Sequence, residues 1–365
     1  MLPQLGKHSY RASRWRTKVI ATLCGVFVFV AFTHLFHPNL RVLQPTQLYS
    51  FDRSGVSLKS TAGGSQHHSP DDPDPDSTEP ISPIPRKIWQ NYFSRDIDED
   101  SLRDASSWIV LNRDYRYTLI GRDGANKFVD RNFADDPALV KRYHSLPNFA
   151  MMSDLLRYMV LYIEGGTYTD IDTTALQPIR NWVAPEHRAD VRAIIGIEYD
   201  QRDGGGWVDI SHEVQFCQWT LAAAPGHPLF GRMIRRALWS FGELERVHNG
   251  TALVRQHPSN FEVLNSTGPA AFTDVVFDYL RDTNPGVITN LRNFSYMTEP
   301  ALYGDVLILP IDGFGVGQPH SNSSPNQPPF PDSAFVKHNF HGGWKVDHLK
   351  QDDEDEITGQ SEETI

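Results

Sequence analysis

Between residues 84 and 310 the chain alternates short apolar runs with stretches of helical period. The runs "RKIWQ" (86–90), "RYTLIG" (116–121), "RAIIGIE" (192–198) and "DVLILP" (305–310) have the length and composition of strands. Helical periodicity recurs near 123–133, 148–164, 227–246 and 268–281. Alternation of this kind predicts an α/β domain with a largely parallel central sheet flanked by helices. The segment 148–164 is the most explicit. Asn148 after Pro147 is a helix N-cap, and Gly165-Gly166 is a stop. At 100° per residue, Met151, Met152, Leu155, Leu156, Met159, Val160 and Ile163 cover one half of this helix. Asp154 and Arg157 fall on the other half with Leu161 between them, so that half reads either as a solvated face or as the wall of a cleft.

The flanks follow a different pattern. Residues 19–36, "VIATLCGVFVFVAFTHLF", are apolar and follow Lys7, Arg11, Arg14, Arg16 and Lys18, with no acid before Asp52. This arrangement predicts a cytoplasmic tail at 1–18, a transmembrane signal anchor at 19–36 and a lumen-facing remainder, in preference to a cleaved signal peptide. Residues 37–83 run into "GGSQHHSPDDPDPDSTEPISP", too poor in apolar side chains to offset ordering entropy, and read as a disordered stem. The catalytic domain is then 84–349, and 350–365 is an acidic disordered tail.

Composition narrows the function classes. A formal charge of -11 with no basic stripe argues against a nucleic-acid partner, and 39% hydrophobic residues suffice for a core. Cys24 lies in the apolar run and Cys217 in the globular part, which leaves no pair for a luminal disulfide; Cys217, among aromatics, reads as a small buried hydrophobe. Asn249, Asn265, Asn293 and Asn322 each open an Asn-x-Ser/Thr sequon, in keeping with a luminal head.

Candidate chemistry concentrates in "YIEGGTYTDIDTTAL" (162–176). In extended backbone, Asp170 and Asp172 point to one face and can address one divalent cation. The same letters, with Thr174, also match the Asp-x-Asp-x-Thr loop of haloacid-dehalogenase-type phosphatases. That loop should follow an apolar strand near the start of a domain, whereas Gly165-Gly166 and "TYT" intervene here. The plainest alternative is a solvated turn.

The longer string "SDLLRYMVLYIEGGTYTDIDT" resembles the signature of glycosyltransferase family 32 and is also similar to the clostridial glucosylating toxins. The resemblance implies a GT-A-type nucleotide-sugar-binding fold in which Asp154 and Arg157 hold the donor sugar, Asp170 the nucleotide sugar and Asp172 a manganese ion. Further segments, "IPRKIWQ" (84–90), "VQFCQWTLAAAPGHPLF" (214–230), "STGPAAFTD" (266–274) and "HNFHGGWK" (338–345), are similar to the fungal initiation-specific alpha-1,6-mannosyltransferases. They imply a Golgi enzyme using GDP-mannose, an N-glycan acceptor and retention at the anomeric carbon. Trp89, His341 and Trp344 join the expected donor contacts, and His341 with Asp170 and Asp172 the expected metal ligands. His338 is a further candidate ligand, and Glu198, ending "AIIGIE", is the acid expected near the acceptor and grouped with the two aspartates as catalytic. Gly343 stands where the family pattern has serine. Transfer of another hexose, a glycolipid acceptor, or a weakly active subunit of a Golgi mannosyltransferase complex are the alternatives.

Overall fold

The computed structural model describes residues 56–57, 82–93, 96–207 and 210–341. The anchor at 19–36, the stem to residue 81 apart from 56–57, Trp344 and the acidic tail lie outside these residues. Among the described residues no helix is long and apolar enough to cross a membrane.

An eight-stranded sheet is the centre of the domain, in the order β1-β3-β2-β4-β7-β6-β9-β8. The strands are β1 (Val56–Ser57), β2 (Lys87–Asn91), β3 (Arg116–Ile120), β4 (Gly166–Thr169), β6 (Ala193–Asp200), β7 (Val214–Ala223), β8 (Ala301–Tyr303) and β9 (Val306–Leu309). A small second sheet joins β5 (Thr173–Ala175) to β10 (Val336–His338) in antiparallel register. The helices are α1 (Glu99–Leu111), α2 (Arg122–Asn132), α3 (Pro137–His144), α4 (Phe149–Glu164), α5 (Pro228–Val247), α6 (Asn260–Ser266), α7 (Pro269–Thr283) and α8 (Ile311–Gly315).

The expectation of a largely parallel sheet is corrected. β2 pairs in parallel with β3 and β4, and β6 with β9, but β7 is antiparallel to both β4 and β6. The edge pairs β1–β3 and β8–β9 are also antiparallel, which makes the sheet mixed. The cause is β7, ten consecutive buried residues with neither strand alternation nor an obvious helical face in sequence. Covered on both faces, it returns between two strands that run the other way.

Both faces of the sheet are buried. Ala193, Ile195 and Ile197 face a core shared with Leu155, Phe230 and Phe272, of α4, α5 and α7. Ile194 faces the other, with Trp108, Trp182 and Phe314. Gly196 is small because Phe314 lies against it: an added Cβ would be 2.6 Å from the ring.

α4 follows its sequence closely. The Asn148 side chain accepts from Ala150 N, and the helix ends at Gly165 with φ 64°. Gly165 and Gly166 are required both by left-handed backbone and by close approach. A Cβ on the first would lie 2.6 Å from Pro225 Cδ, and on the second 2.7 Å from the Lys87 carbonyl oxygen. The chain thereby turns from helix into β4 within two residues and carries the Asp-x-Asp to the end of that strand.

Candidate functional site

The site begins on α4. Three residues apart, Asp154 and Arg157 share one helix face, and Arg157 Nη1 lies 3.0 Å from Asp154 Oδ1. That face is a buried wall: the residues are only 5% and 3% exposed. Arg157 Nη2 reaches Asp170 Oδ1 at 2.9 Å, so one guanidinium joins the helix to the end of β4. The remaining partners come from distant segments. Gln218 Nε2 and Thr267 Oγ1 donate to the two oxygens of Asp154, and Tyr168 Oη donates to Asp170 Oδ1 at 2.8 Å. Burial pushes the Asp154 and Asp170 carboxyls up from the usual range, against the pull of Arg157 on each. Despite burial, the surrounding negative charge holds Arg157 protonated. Its Nε is buried and has no hydrogen-bond partner among the described residues.

Asp172 belongs to a different network. His338 Nε2 meets its Oδ1 at 3.0 Å, and the His341 backbone N–H donates to its Oδ2 at 3.0 Å. The Asn339 N–H donates to the Asp172 carbonyl, continuing the β5–β10 pairing. Burial pushes the Asp172 carboxyl up, but the His338 hydrogen bond and charge and the His341 N–H outweigh it, so it sits below the usual carboxylate range. Ligand atoms of Asp170, Asp172 and His338 lie within 4.8 Å of one another. Two hard carboxylate oxygens and an imidazole nitrogen suit a divalent cation such as manganese, and His338 Nδ1 is not needed by another group among the described residues.

Of the two C-terminal histidines, His338 contributes its imidazole to this cluster. The His341 ring instead lies 3.5 Å from Asp104, and His341 approaches Asp172 through its backbone. Trp89 is buried, with its indole N–H donating to the Gly165 carbonyl at 2.9 Å, and braces the turn between α4 and β4. Glu198 accepts from Gln215 and, at 3.1 Å, from Trp219 Nε1. The Trp219 ring stacks on His338 with centroids 4.6 Å apart, so Glu198 is linked to the metal side through an aromatic pair. Burial pushes the Glu198 carboxyl up. Cys217 is buried, and its thiol is pushed well up by burial.

Gln218, Trp219, Thr267 and Asn339 are site residues that sequence reasoning left without a role. Each lies inside or beside a segment already singled out, but only the fold shows that Thr267 touches Asp154 and Trp219 touches His338. Among the sequons, Asn249 and Asn293 are exposed and Asn265 is partly buried on α6. Asn322 is exposed as a residue, yet its amide nitrogen donates to the Asp200 carbonyl at 2.7 Å.

Residues 98–189 match the glycosyltransferase sugar-binding region containing a DXD motif. The chain is 37% identical over 271 residues to the initiation-specific alpha-1,6-mannosyltransferase of Schizosaccharomyces pombe, covering 72% of this chain and 64% of that protein. It is 29% identical over 297 residues to the Candida albicans protein of the same name, with 74% of each chain covered. A shorter match, 30% over 104 residues and 28% of each chain, is to inositol phosphoceramide mannosyltransferase 3 of Schizosaccharomyces pombe.

Proposed function

Starting from a chain that is a glycosyltransferase family 32, fungal initiation-specific alpha-1,6-mannosyltransferase-like protein, we propose that it is a retaining Golgi mannosyltransferase with a GT-A-type fold. In this reading it moves mannose from GDP-mannose to an N-glycan in alpha-1,6 linkage, from a type II membrane anchor with its head in the lumen. The observation that carries the reading is the single buried guanidinium of Arg157 between Asp154 and Asp170, beside the Asp172–His338 pair.

The two halves of the site have separate tasks. Asp154 and Arg157 present an acceptor and donors in fixed positions, the combination that vicinal sugar hydroxyls require. A divalent cation held by Asp170, Asp172 and His338 would neutralise charge on the departing diphosphate. Transfer breaks the bond from the mannose anomeric carbon to the diphosphate oxygen and forms one to the acceptor oxygen. The acceptor's hydroxyl proton leaves with the diphosphate. Asp154 and Glu198 each have both oxygens engaged by protein donors, and one Asp170 oxygen is taken by Arg157 and Tyr168. Glu198 then serves through Trp219, holding the ring that supports His338.

The decisive assay incubates the purified protein with GDP-mannose, manganese and a high-mannose N-glycan. Release of GDP with gain of one hexose on the glycan is expected, the new linkage being sensitive to an alpha-1,6-specific mannosidase. Absence of turnover with every divalent cation, donor and acceptor tried would defeat the reading. Turnover on inositol phosphoceramide alone would keep the enzyme and replace its acceptor. Topology has its own check, since a luminal head should carry endoglycosidase-sensitive glycan on at least one of the four sequons.

A further inference from the structure

We infer that a hydroxyl-lined cleft at the ends of β6 and β9 binds sugar residues of the acceptor away from the reacting hydroxyl. This inference rests on the reading of the protein as a mannosyltransferase. The cleft holds about 350 Å³ and is lined in part by Arg202, Thr298, Asp312, Asn322, Ser324 and Ser333.

Strand direction places it on the same edge as the Asp-x-Asp. β4 is antiparallel to β7, β7 to β6, and β6 is parallel to β9, so β4, β6 and β9 all end on one edge of the sheet. Asp170 directly follows β4, Arg202 lies two residues beyond β6, and Pro310 directly follows β9. In the order β4-β7-β6-β9, β9 ends three strand spacings of roughly 4.8 Å across the sheet from β4, while β6 runs on past that level, Ile195 rather than Asp200 being in line with Tyr168. Ligands of open α/β sheets gather at this edge.

The lining has the chemistry of a saccharide site. The Thr298 and Ser333 hydroxyls and the Asn322 amide oxygen are the groups that can meet sugar hydroxyls, on a wall fixed by the Ser324–Asp312 pair and the Asn322 N–H bond to the Asp200 carbonyl, and aromatic rings cover the apolar faces of the same sugars. Two exposed rings stand outside the lining itself, each linked to it through one neighbouring residue. Tyr296, 52% exposed, precedes the lining residue Met297 and has the Arg202 guanidinium 5.4 Å from its ring centroid. Trp207, 54% exposed, stacks on His320, two residues before Asn322, with centroids 4.9 Å apart. A polyanion is a poor fit, because Arg202 is already engaged by Asp200 and the chain is acidic overall. A second cavity, about 480 Å³ between α5 and α6, has Trp239, Leu244, Val247 and Phe261 in its lining. That groove belongs to the helical layer.

The test measures binding and transfer separately, on protein stripped of N-glycans. A free high-mannose oligosaccharide should bind the wild-type chain without any donor. Trp207→Ala should weaken that binding by about tenfold, the scale of one aromatic contact, and Trp207→Phe should restore most of it. In turnover assays the same loss should appear as a raised KM for the oligosaccharide, with no change in GDP-mannose KM or in transfer to methyl α-mannoside. Thr298→Val, exposed and outside the catalytic cluster, should give a smaller shift of the same kind. Wild-type protein that binds no oligosaccharide, or a Trp207→Ala variant equally impaired with the monosaccharide, would overturn the cleft assignment. Oligosaccharide binding through Trp207 in a protein that transfers nothing would keep the cleft and retire the proposed activity.

Discussion

Asp170 and Asp172 are two residues apart, yet they belong to opposite kinds of environment. Asp170 is tied to α4 by a buried guanidinium and to its own strand by Tyr168, and burial pushes its carboxyl up. Asp172 is tied to the far C-terminal strand by His338 and the His341 N–H, and it is held below the usual carboxylate range. The first environment is a charge network anchored on the buried Asp154 and Arg157, with the Asp170 side chain still 25% exposed, and its integrity matters to folding. The second lies at the junction of two short strands, where its carboxylate remains ionised and can serve a cation. Two aspartates of one motif, both within reach of one cation, are thus held by different partners, Asp170 by the helix-side guanidinium and Asp172 by the C-terminal strand.

Four experiments can break or sharpen that division. The largest expected effect is on stability: Arg157→Met leaves Asp154 and Asp170 without their buried cation and should cost about 3–5 kcal/mol, read from urea unfolding. Adding Asp154→Leu should recover part of that loss, because the stranded charge is removed as well. A single variant as stable as wild type would show that the network does not depend on Arg157.

Asp172→Ala should lose only the small stability contribution of that carboxylate but lower metal-dependent turnover by about 10³-fold, several kcal/mol of charge stabilisation at roughly 1.36 kcal/mol per decade. The manganese-induced rise in melting temperature should vanish with it. Wild-type turnover and an intact manganese shift in this variant would remove Asp172 from the metal site.

His338→Ala should weaken manganese binding by at least about 10–100-fold, the range that loss of a partner behind the ligands already produces. His341→Ala should do much less, since the backbone of His341 and not its ring meets Asp172. Equal effects from the two variants would contradict the separation of their roles.

The smallest effect is a pH signature. With its folded pKa below the unfolded value, Asp172 contributes stability that is fully present above about pH 4 and lost as pH falls through its lower folded value. Wild type should therefore lose stability more steeply than Asp172→Asn below about pH 4. Asp154 and Asp170, held above their unfolded values, have the opposite sign: the cost of their ionised forms is relieved as acid is added. Urea midpoints measured from neutral pH into acid check both slopes, and identical profiles for wild type and Asp172→Asn would remove the inferred contribution of Asp172.

Local signals made much of this legible. Asn148 and Gly165-Gly166 mark the ends of α4 within the chain itself, because capping and left-handed backbone depend on a few neighbouring residues. The short runs at β2, β3, β6 and β9 and the spacing of Asp154, Arg157, Asp170 and Asp172 are likewise local. β7 was not legible: ten buried residues with both faces covered carry no period, and its antiparallel direction depends on which strands lie beside it.

Sequence by itself determined the alternation of helices and strands, the acidic balance, the apolar run at 19–36 and the four charged residues around which the site is built. Tertiary structure decided that Arg157 joins both carboxylates, that His338 and not the His341 ring completes the cation cluster, and that Thr267, Gln218 and Trp219 support them. The physical reason is sequence separation. His338 is 166 residues from Asp172, and Thr267 is 113 from Asp154. Such contacts follow from the way β10 pairs with β5 and α6 packs over α4, not from any local preference of the residues that make them.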